Sequence, residues 1–330
     1  MEERVALVTG AAGFIGWHLC DRLLADGWTV HGLDSFEDYY PREYKERNIT
    51  AALSNDRFSL MEASLIDLDK PQSRLRQLVR EAGVVFHLAA QAGVRASWGE
   101  SFSVYTNNNV LGTQLLLEAC KAVGTGKVIC ASSSSVYGDT DVLPMVETAR
   151  CRPYSPYGVT KLAGENLCYL YWRNFGLPTV ALRFFTVYGP RQRPDMGFHR
   201  FIRCLIEDRP IPVYGDGNQT RDFTYVSDIV EGFVSAIEAP VGEVLNLGGG
   251  SRVVLDDVLR LLGNIVGKPA LTTREAVQAG DVRDTWASLE HAREVLGYEP
   301  RVSLEEGLRR EVEWRQSLSK EPGYPWGAGL

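Results

Sequence analysis

The sequence predicts an α/β protein in which helices cover both faces of a doubly wound parallel sheet, joined to a smaller C-terminal α/β lobe. Short apolar and β-branched runs alternate with segments of helical periodicity through the first 184 residues, which is the pattern of parallel strands linked by helices. From residue 185 onward Gly, Pro and Arg become frequent and the loops lengthen. A chain of 330 residues has room for about two domains.

Five strands and two long helices are predicted in the first region. The strands cover residues 5–9, 30–34, 84–88, 127–131 and 178–183. Apolar residues at 111, 115, 116 and 119 repeat with helical spacing and predict a helix over 109–123, and a second helix is predicted over 157–174. The region 185–330 is predicted to form the smaller lobe, with residues 223–247 returning to the first domain. An amphipathic helix that contains Leu304, Leu308 and Val312 closes this lobe.

Composition and charge exclude several classes of function. The chain carries 35 basic and 42 acidic residues, a net charge of −7, which argues against a nucleic-acid partner. The five histidines show no metal-ligand spacing, so no metal is expected. The six cysteines form no CxxC pair and are expected to be reduced thiols. Neither a signal peptide nor an apolar run of roughly 18 residues is present, which predicts a cytoplasmic protein with no membrane partner.

A glycine cluster lies between the first predicted strand and the first helix. Gly10, Gly13 and Gly16 have GxxGxxG spacing, and glycine lets the backbone turn tightly and approach a pyrophosphate at a helix N-terminus. Asp34 ends the second strand 18 residues after Gly16, where a carboxylate accepts hydrogen bonds from adenosine ribose and repels a 2′-phosphate. These residues favour NAD as cofactor, although Arg42 nearby leaves NADP open.

A tyrosine and a lysine open the predicted helix over 157–174. Tyr157 and Lys161 are four residues apart, so they share one helix face. A tyrosine is too weak a base at neutral pH, but a neighbouring ammonium favours its phenolate. Ser132 to Ser135 follow the preceding strand, at the sheet edge where α/β proteins bind ligands. The pattern suits removal of a hydroxyl proton while hydride leaves the same carbon.

These segments together resemble the extended short-chain dehydrogenase/reductase superfamily, in its nucleotide-sugar epimerase/dehydratase branch. The resemblance covers residues 4–318 and rests on 9–16 (TGAAGFIG), 87–90 (HLAA), 108–110 (NNV), 132–138 (SSSSVYG), 155–161 (SPYGVTK) and 221–223 (RDF). It implies a Rossmann-type NAD-binding domain over 1–184 and a nucleotide-sugar-binding lobe over 185–330. A scaffold that only senses NAD is the alternative, and such a protein would typically lack the tyrosine or the lysine.

The resemblance also implies a role for individual residues. It assigns catalysis to Ser133, Tyr157 and Lys161. It implies that NAD contacts Gly10, Gly13, Phe14, Ile15, Gly16, Asp34, Ser35, Ser64, Leu65, Leu88, Ala89, Ala90, Asn108, Tyr157 and Lys161. It implies that a UDP-sugar substrate contacts Ser133, Ser134, Thr186, Arg193, Arg221, Asp281 and Arg95. Ser64 departs from the family, which usually has an aspartate there to meet the adenine, so a weaker contact is expected.

Neighbouring side chains favour one outcome within this branch. Dehydratases carry Asp-Glu at the places of Ser134 and Ser135, and uronate decarboxylases carry Glu at the latter. With no carboxylate at either place, elimination lacks its acid and base, and the prediction is 4-epimerisation through a transient 4-keto sugar with NAD regenerated. Decarboxylase and dehydratase activities remain the less favoured alternatives.

The identity of the sugar depends on a second segment. Residues 183–190 and 193–196 resemble the UDP-glucuronate 4-epimerase group, in which a C6 carboxylate needs a cation if it is to be desolvated. Thr186, Arg193 and Arg95 are the candidates for that contact. Arg191 and Gln192 differ from this group, which leaves UDP-glucose and UDP-N-acetylglucosamine open as substrates.

The helices near 108–123 and 156–174 bear apolar residues on more than one face, among them Leu115, Leu116, Leu170 and Trp172. Members of the family commonly pair through these two helices, so a homodimer is expected. Burial of both faces within one chain is the alternative explanation.

Overall fold

A seven-stranded parallel sheet forms the centre of the structure, a computed structural model that describes residues 4–70 and 72–318. The strands of the chain are β1 Val5–Thr9, β2 Thr29–Asp34, β3 Phe58–Glu62, β4 Val84–His87, β5 Lys127–Ser133, β6 Thr179–Phe184, β7 Val187–Tyr188, β8 Ile211–Tyr214, β9 Thr220–Asp222, β10 Thr224–Tyr225, β11 Val244–Leu247, β12 Arg252–Val254 and β13 Thr272–Glu275. The sheet order is β11-β6-β5-β4-β1-β2-β3. The order reverses between β1 and β4, which opens a crevice at the carboxyl ends of these strands.

Helices cover both faces of this sheet, so the predicted fold class is confirmed. The α-helices of the chain are α1 Phe14–Ala25, α2 Arg42–Ile49, α3 Leu75–Glu81, α4 Phe102–Tyr105, α5 Gly112–Val123, α6 Pro156–Phe175, α7 Gly197–Ile206, α8 Val226–Ser235, α9 Leu255–Val266, α10 Glu290–Leu296 and α11 Leu304–Leu318. Alternate strand residues enter opposite cores: Ala6 and Val8 lie in one apolar cluster and Leu7 lies in the other. A strand buried on both faces needs a continuous apolar run, which is what the sequence shows.

The C-terminal region supplies elements to two places. β11 pairs in parallel with β6 and so extends the central sheet, and α8 packs against α1. The remaining short strands form three pairs beside the crevice, β7 with β10, β9 with β12 and β8 with β13. Residues 319–330 of the predicted lobe lie outside the described residues.

The helix predicted over 109–123 is longer in the structure and contains a π-helical segment. The turn α4 leads into π-helix Thr106–Leu111, which continues into α5. Three consecutive asparagines, Asn107 to Asn109, interrupt the apolar repeat, so periodicity had no signal for a helix there. Extra residues in such a segment re-aim side chains, and π-helical turns are frequent at functional sites.

Within the described residues, no helix is both long and apolar enough to cross a bilayer. The same part of the chain contains no group of three or more His, Cys, Asp or Glu side chains placed to hold a metal ion.

A buried histidine at the end of β4 fixes the loop that follows it. The Thr113 hydroxyl donates to the Asn109 carbonyl (2.7 Å), so His87 Nε2 donates to Thr113 Oγ1 (2.8 Å) and His87 Nδ1 accepts from the Thr9 hydroxyl (2.9 Å). Thr9 Oγ1 also accepts from the amides of Leu88 and Ala89, at 3.1 Å each. Burial, with Lys161 adding to it, lowers the pKa of His87 to about 3. The ring is therefore neutral at physiological pH.

This neutral histidine predicts a loss of stability in acid. Because the pKa of His87 is lower in the folded than in the unfolded protein, its contribution is complete above pH 6.5 and falls as pH drops toward 3. We expect the free energy of unfolding of the wild type to decrease by about 1.4 kcal/mol per pH unit more steeply than that of His87→Gln between pH 6 and 4. Urea unfolding across this range measures the difference. His291→Gln, at a half-buried site, is the control, and parallel wild-type and His87→Gln curves would contradict the assignment.

Candidate active site

A cavity of about 390 Å³ lies at the carboxyl edge of the central sheet. Loops that follow β1, β2, β3, β4, β5 and β6 line it, so it spans the point where the strand order reverses. The structure brings all fifteen predicted cofactor residues, from Gly10 to Lys161, into the lining of this one cavity. Ser133, Ser134, Thr186 and Arg193 from the predicted substrate set line it too.

The glycine loop is built so that no side chain fits beneath it. Gly10 has φ +72°, and a Cβ there would lie 2.9 Å from the Ala89 amide nitrogen. A Cβ on Gly16 would lie 2.0 Å from the Gly10 carbonyl oxygen, so α1 could not approach the loop as closely. Gly13 precedes α1, and no side chain caps that helix. The first amides of α1 are therefore available to a phosphate group.

Asp34, at the end of β2, is buried and already accepts three hydrogen bonds. Its Oδ2 accepts from the Ala12 amide (3.1 Å), and its Oδ1 accepts from the Phe36 amide (2.9 Å) and from Lys45 Nζ (2.8 Å). Lys45 also lines the cavity. Sequence reasoning missed this lysine, although its position in a polar helix directly after the Asp34 loop was a usable signal. Arg42, the residue that had left NADP open, is exposed and forms two hydrogen bonds with Glu62.

Ser64 lines the cavity after β3, where the resemblance had expected an aspartate. Its hydroxyl accepts from the Ile66 amide (3.3 Å), and its amide donates to Asp67 Oδ2 (3.2 Å). Ser64 and Asp67 thus form a capping box at the start of a short 3₁₀ turn. The Asp67 carboxylate caps this turn, and it does not line the cavity.

The three predicted catalytic residues come from the end of β5 and the first turns of α6. Ser133 Oγ accepts from the Ser135 amide (3.1 Å) and donates to Ser135 Oγ (3.1 Å). Ser155 caps α6 by accepting from the Gly158 amide (3.1 Å), and Pro156 occupies the first helical position. This cap places Tyr157 and Lys161 in the cavity lining. The Tyr157 ring meets Tyr105 edge to face, with centroids 6.3 Å apart.

A buried asparagine of the π-helical segment ties this helix to the loop after β4. Asn109 Nδ2 donates to the Gln91 carbonyl (3.0 Å) and to Thr160 Oγ1 (2.9 Å), while its Oδ1 accepts from the Gln91 amide (2.7 Å). Its neighbour Asn108 lines the cavity. Sequence reasoning predicted Asn108 and missed Asn109, because pairing between distant polar residues leaves no periodic signal.

Arg193 lies in the cavity wall and is held by a carboxylate two residues away. Its Nε and Nη2 donate to the two oxygens of Asp195, at 3.0 Å each. Burial opposes both charges, yet Asp195 raises the pKa of Arg193 and Arg193 lowers the pKa of Asp195. The Tyr39 hydroxyl donates to Asp195 Oδ2 (3.4 Å). Asp195 and Tyr39 were not among the predicted site residues.

Three predicted substrate residues form a separate cluster beside this cavity and do not line it. Arg95 Nη2 donates to Asp281 Oδ2 (2.7 Å), and the Arg95 guanidinium stacks on the Tyr214 ring at 4.1 Å. Arg221 donates to the carbonyls of Thr220, Val282 and Arg283, at 2.8 Å each. Burial lowers the pKa of Arg221. The structure therefore brings Arg95, Asp281 and Arg221 together in one cluster.

Comparison with known proteins agrees with this geometry. Residues 6–248 match the model of the NAD dependent epimerase/dehydratase family. The chain is 44% identical over 315 residues to the Bacillus subtilis protein called "Uncharacterized UDP-glucose epimerase YtcB", covering 94% of this chain and 98% of that one. It is 39% identical to UDP-glucuronate 4-epimerase of Thermodesulfobacterium geofontis, covering 93% and 95%.

A solved structure matches along the same length. The UDP-glucuronic acid 4-epimerase of Bacillus cereus, in complex with UDP-glucuronic acid and NAD, superposes with a TM-score of 0.91 at 45% identity and covers 95% of this chain and 99% of that one. By its sequence and its fold, this chain belongs to the NAD dependent epimerase/dehydratase family.

Proposed function

We propose that the protein is an NAD-dependent UDP-sugar 4-epimerase that interconverts UDP-glucuronate and UDP-galacturonate. One observation carries the proposal: a single cavity is lined by the glycine loop and Asp34 at one end, by Ser133, Tyr157 and Lys161, and by Thr186 and Arg193. The names of the relatives support it. Tyr157 is the base, Lys161 lies one turn further along the same helix, and Ser133 hydrogen-bonds the oxygen at C4 of the sugar.

The residues at the glycine loop fit NAD. The Gly10 and Gly16 positions admit no side chain, the start of α1 offers free amides, and the Asp34 carboxylate accepts donors. When bound, NAD⁺ would take a hydride from C4 of the sugar and return it. The protein's own part is to remove the C4 hydroxyl proton through Tyr157 and to give it back after the keto sugar has turned over.

The positions of the carboxylates favour epimerisation over elimination. Among the described residues that line the cavity, the acids are Asp34 and Glu37. Asp34 ends β2 and Glu37 follows it, and β2 is three strand positions from β5, or roughly 14 Å at the usual strand spacing. Ser133, Ser134 and Ser135 have no acid beside them in this lining. A dehydratase would need such an acid for the departing C6 hydroxyl.

The Arg193 side chain favours a uronate as the sugar. A guanidinium has five N–H donors, and the Asp195 contacts engage Nε and one N–H of Nη2. The Nη1 edge remains for the C6 carboxylate, with Thr186 also in the lining. A 4-keto uronate is a β-keto acid that loses CO₂ readily. If Arg193 holds the carboxylate in an unreactive orientation, the 4-keto intermediate would not lose CO₂ before it is reduced again.

UDP-glucose is the second candidate, favoured by the name of the Bacillus subtilis relative. The two sequence departures from the glucuronate group do not support it. Arg191 donates to the Asn48 carbonyl (2.7 Å), and Gln192 donates to the Val187 carbonyl (3.2 Å) and accepts from the His199 amide (3.0 Å). Neither side chain lines the cavity, so these differences do not touch the sugar.

Replacing the proposed base tests the mechanism. Tyr157→Phe removes the group that takes the C4 proton, and we expect the rate of UDP-glucuronate epimerisation to fall by about 10²- to 10⁴-fold, with NAD⁺ affinity retained. Product formation by NMR and NAD⁺ binding by calorimetry measure the two effects. Tyr154→Phe, on an exposed ring three residues away, is the control. A Tyr157→Phe enzyme of near-normal rate would refute the assignment.

Replacing the proposed carboxylate ligand tests the sugar. In Arg193→Met we expect kcat/KM for UDP-glucuronate to fall by about 10- to 100-fold, the value of a charge-assisted contact, with little change for UDP-glucose. We also expect CO₂ and a UDP-pentose among the products, because the keto acid is no longer held.

Separate incubations with UDP-glucuronate, UDP-glucose and UDP-N-acetylglucosamine, followed by NMR, provide this measurement. Arg209→Met, at an exposed site, is the control. Equal losses on charged and neutral sugars would show that Arg193 does not read the uronate.

We also propose that the protein is a homodimer whose copies pair through α4–α5 and α6. Val104 and Leu111 from the first helical stretch and Val159 and Leu170 from α6 are between 37% and 50% exposed. This exposure places them on the outer faces of these helices. Apolar side chains along two adjacent helices would be covered by the same two helices of a second copy.

A charge on this face should separate the copies. We expect Leu111→Glu to sediment as a monomer where the wild type sediments as a dimer, because a buried unpaired carboxylate opposes association. Analytical ultracentrifugation gives the mass. Leu53→Glu changes an exposed leucine in a separate 3₁₀ turn and should leave the dimer intact. A dimeric Leu111→Glu protein would place the interface elsewhere.

A further inference from the structure

The ion pair between Lys45 and Asp34 lies in the cavity wall and is almost fully enclosed. The side chain of Lys45 is 10% exposed and that of Asp34 is 4% exposed. The Phe36 and Tyr40 rings flank the ammonium, each with its centroid 5.6 Å from Nζ. A lysine is seldom buried to this extent unless it is paired, and here its partner is the residue expected to read the cofactor ribose.

The pair changes the charge at this end of the cavity. A lone carboxylate carries one negative charge and repels a 2′-phosphate. Lys45 Nζ, 2.8 Å from Asp34 Oδ1, brings the pair close to neutral. The other basic side chain of this segment does not act here, since Arg42 is exposed and its guanidinium is engaged by Glu46 and Glu62.

The remaining acceptor capacity of Asp34 is small. A carboxylate offers about four acceptor positions, and three are taken by Ala12, Phe36 and Lys45. A ribose hydroxyl bound to Asp34 would therefore lie beside the ammonium, and a phosphate on that hydroxyl would lie within reach of it.

We propose that Lys45 is a specificity-determining residue for the dinucleotide. This inference rests on the proposed function, which places NAD in the cavity. Asp34 excludes a 2′-phosphate, and Lys45 moderates that exclusion by sharing the charge. When the carboxylate is removed, the same ammonium becomes a receptor for the 2′-phosphate, and the site changes its preference from NAD to NADP.

Four versions of the full chain test this by calorimetric titration with NAD⁺ and with NADP⁺: wild type, Lys45→Met, Asp34→Ser and the double variant. The quantity compared is the ratio of the Kd for NADP⁺ to the Kd for NAD⁺. We expect the ratio to rise by about tenfold in Lys45→Met and to fall by about tenfold or more in Asp34→Ser, as a close charge pair requires. In the double variant the gain in NADP⁺ affinity should disappear.

Two controls separate the effect from loss of folding or general charge. Arg42→Met removes an exposed charge near the same loop and should leave the ratio unchanged. Lys45→Gln removes the charge while keeping a donor for Asp34, so it replaces Lys45→Met if thermal melting shows that the latter does not fold.

The titrations distinguish failure of the Lys45 proposal from failure of the proposed function. Equal NADP⁺ affinity in Asp34→Ser and in the double variant would overturn the role of Lys45 while leaving the proposed function standing. A folded wild-type protein that binds neither dinucleotide would overturn the proposed function, and the role of Lys45 with it.

Discussion

A buried ion pair between Arg183 and Glu165 holds the catalytic helix on the sheet, and the geometry of the site depends on it. Arg183 at the end of β6 donates to both oxygens of Glu165 in α6, at 2.9 and 2.8 Å, and both side chains are 6% exposed. The Ser132 hydroxyl donates to the same carboxylate. Glu165 lies one turn after Lys161 and two turns after Tyr157, so β5, β6 and α6 are joined directly below the proposed catalytic residues.

The free-energy cost of breaking this ion pair explains why it holds α6 firmly on the sheet. Removing one partner of a buried ion pair costs about 3–5 kcal/mol, because the other charge is left unsolvated. Arg183 also donates to the Tyr137 hydroxyl (2.9 Å) and the Glu147 carbonyl (3.1 Å), and the Tyr137 hydroxyl donates to Asn246 in β11 (2.7 Å). Burial raises the pKa of Tyr137 to about 12, so it remains a neutral donor. These contacts therefore fix β5, β6, β11 and α6 in position relative to one another.

The sequence predicted the parts of the site that follow strand ends, and it failed where distant polar side chains meet. Gly10, Asp34 and Ser133 could be placed because apolar runs mark the strands and a parallel sheet gathers their carboxyl ends. Tyr157 could be placed because its four-residue spacing from Lys161 marks one face of a helix. Lys45, Asp195 and Asn109 carry no such signal, since their partners depend on loop paths. Arg95, Arg221 and Asp281 lie together outside the cavity lining, and this placement depends on how the lobe packs, which no local pattern records.

Two enclosed ion pairs, Lys45 with Asp34 and Arg193 with Asp195, give the two ends of the cavity the same design. In each, a cation in the cavity lining is paired with a carboxylate of the same chain. Specificity is the difference between the affinities for two ligands. The cost of leaving a buried charge unpaired when the wrong ligand binds usually contributes most to that difference. Because the Arg193 guanidinium is already paired with the Asp195 carboxylate, binding of a neutral hexose would not leave that guanidinium as an unpaired buried charge. Under the proposed function, the affinity gained from the carboxylate of a uronate is larger than the affinity lost when a neutral hexose binds. Relatives named for UDP-glucose and for UDP-glucuronate can therefore share one architecture.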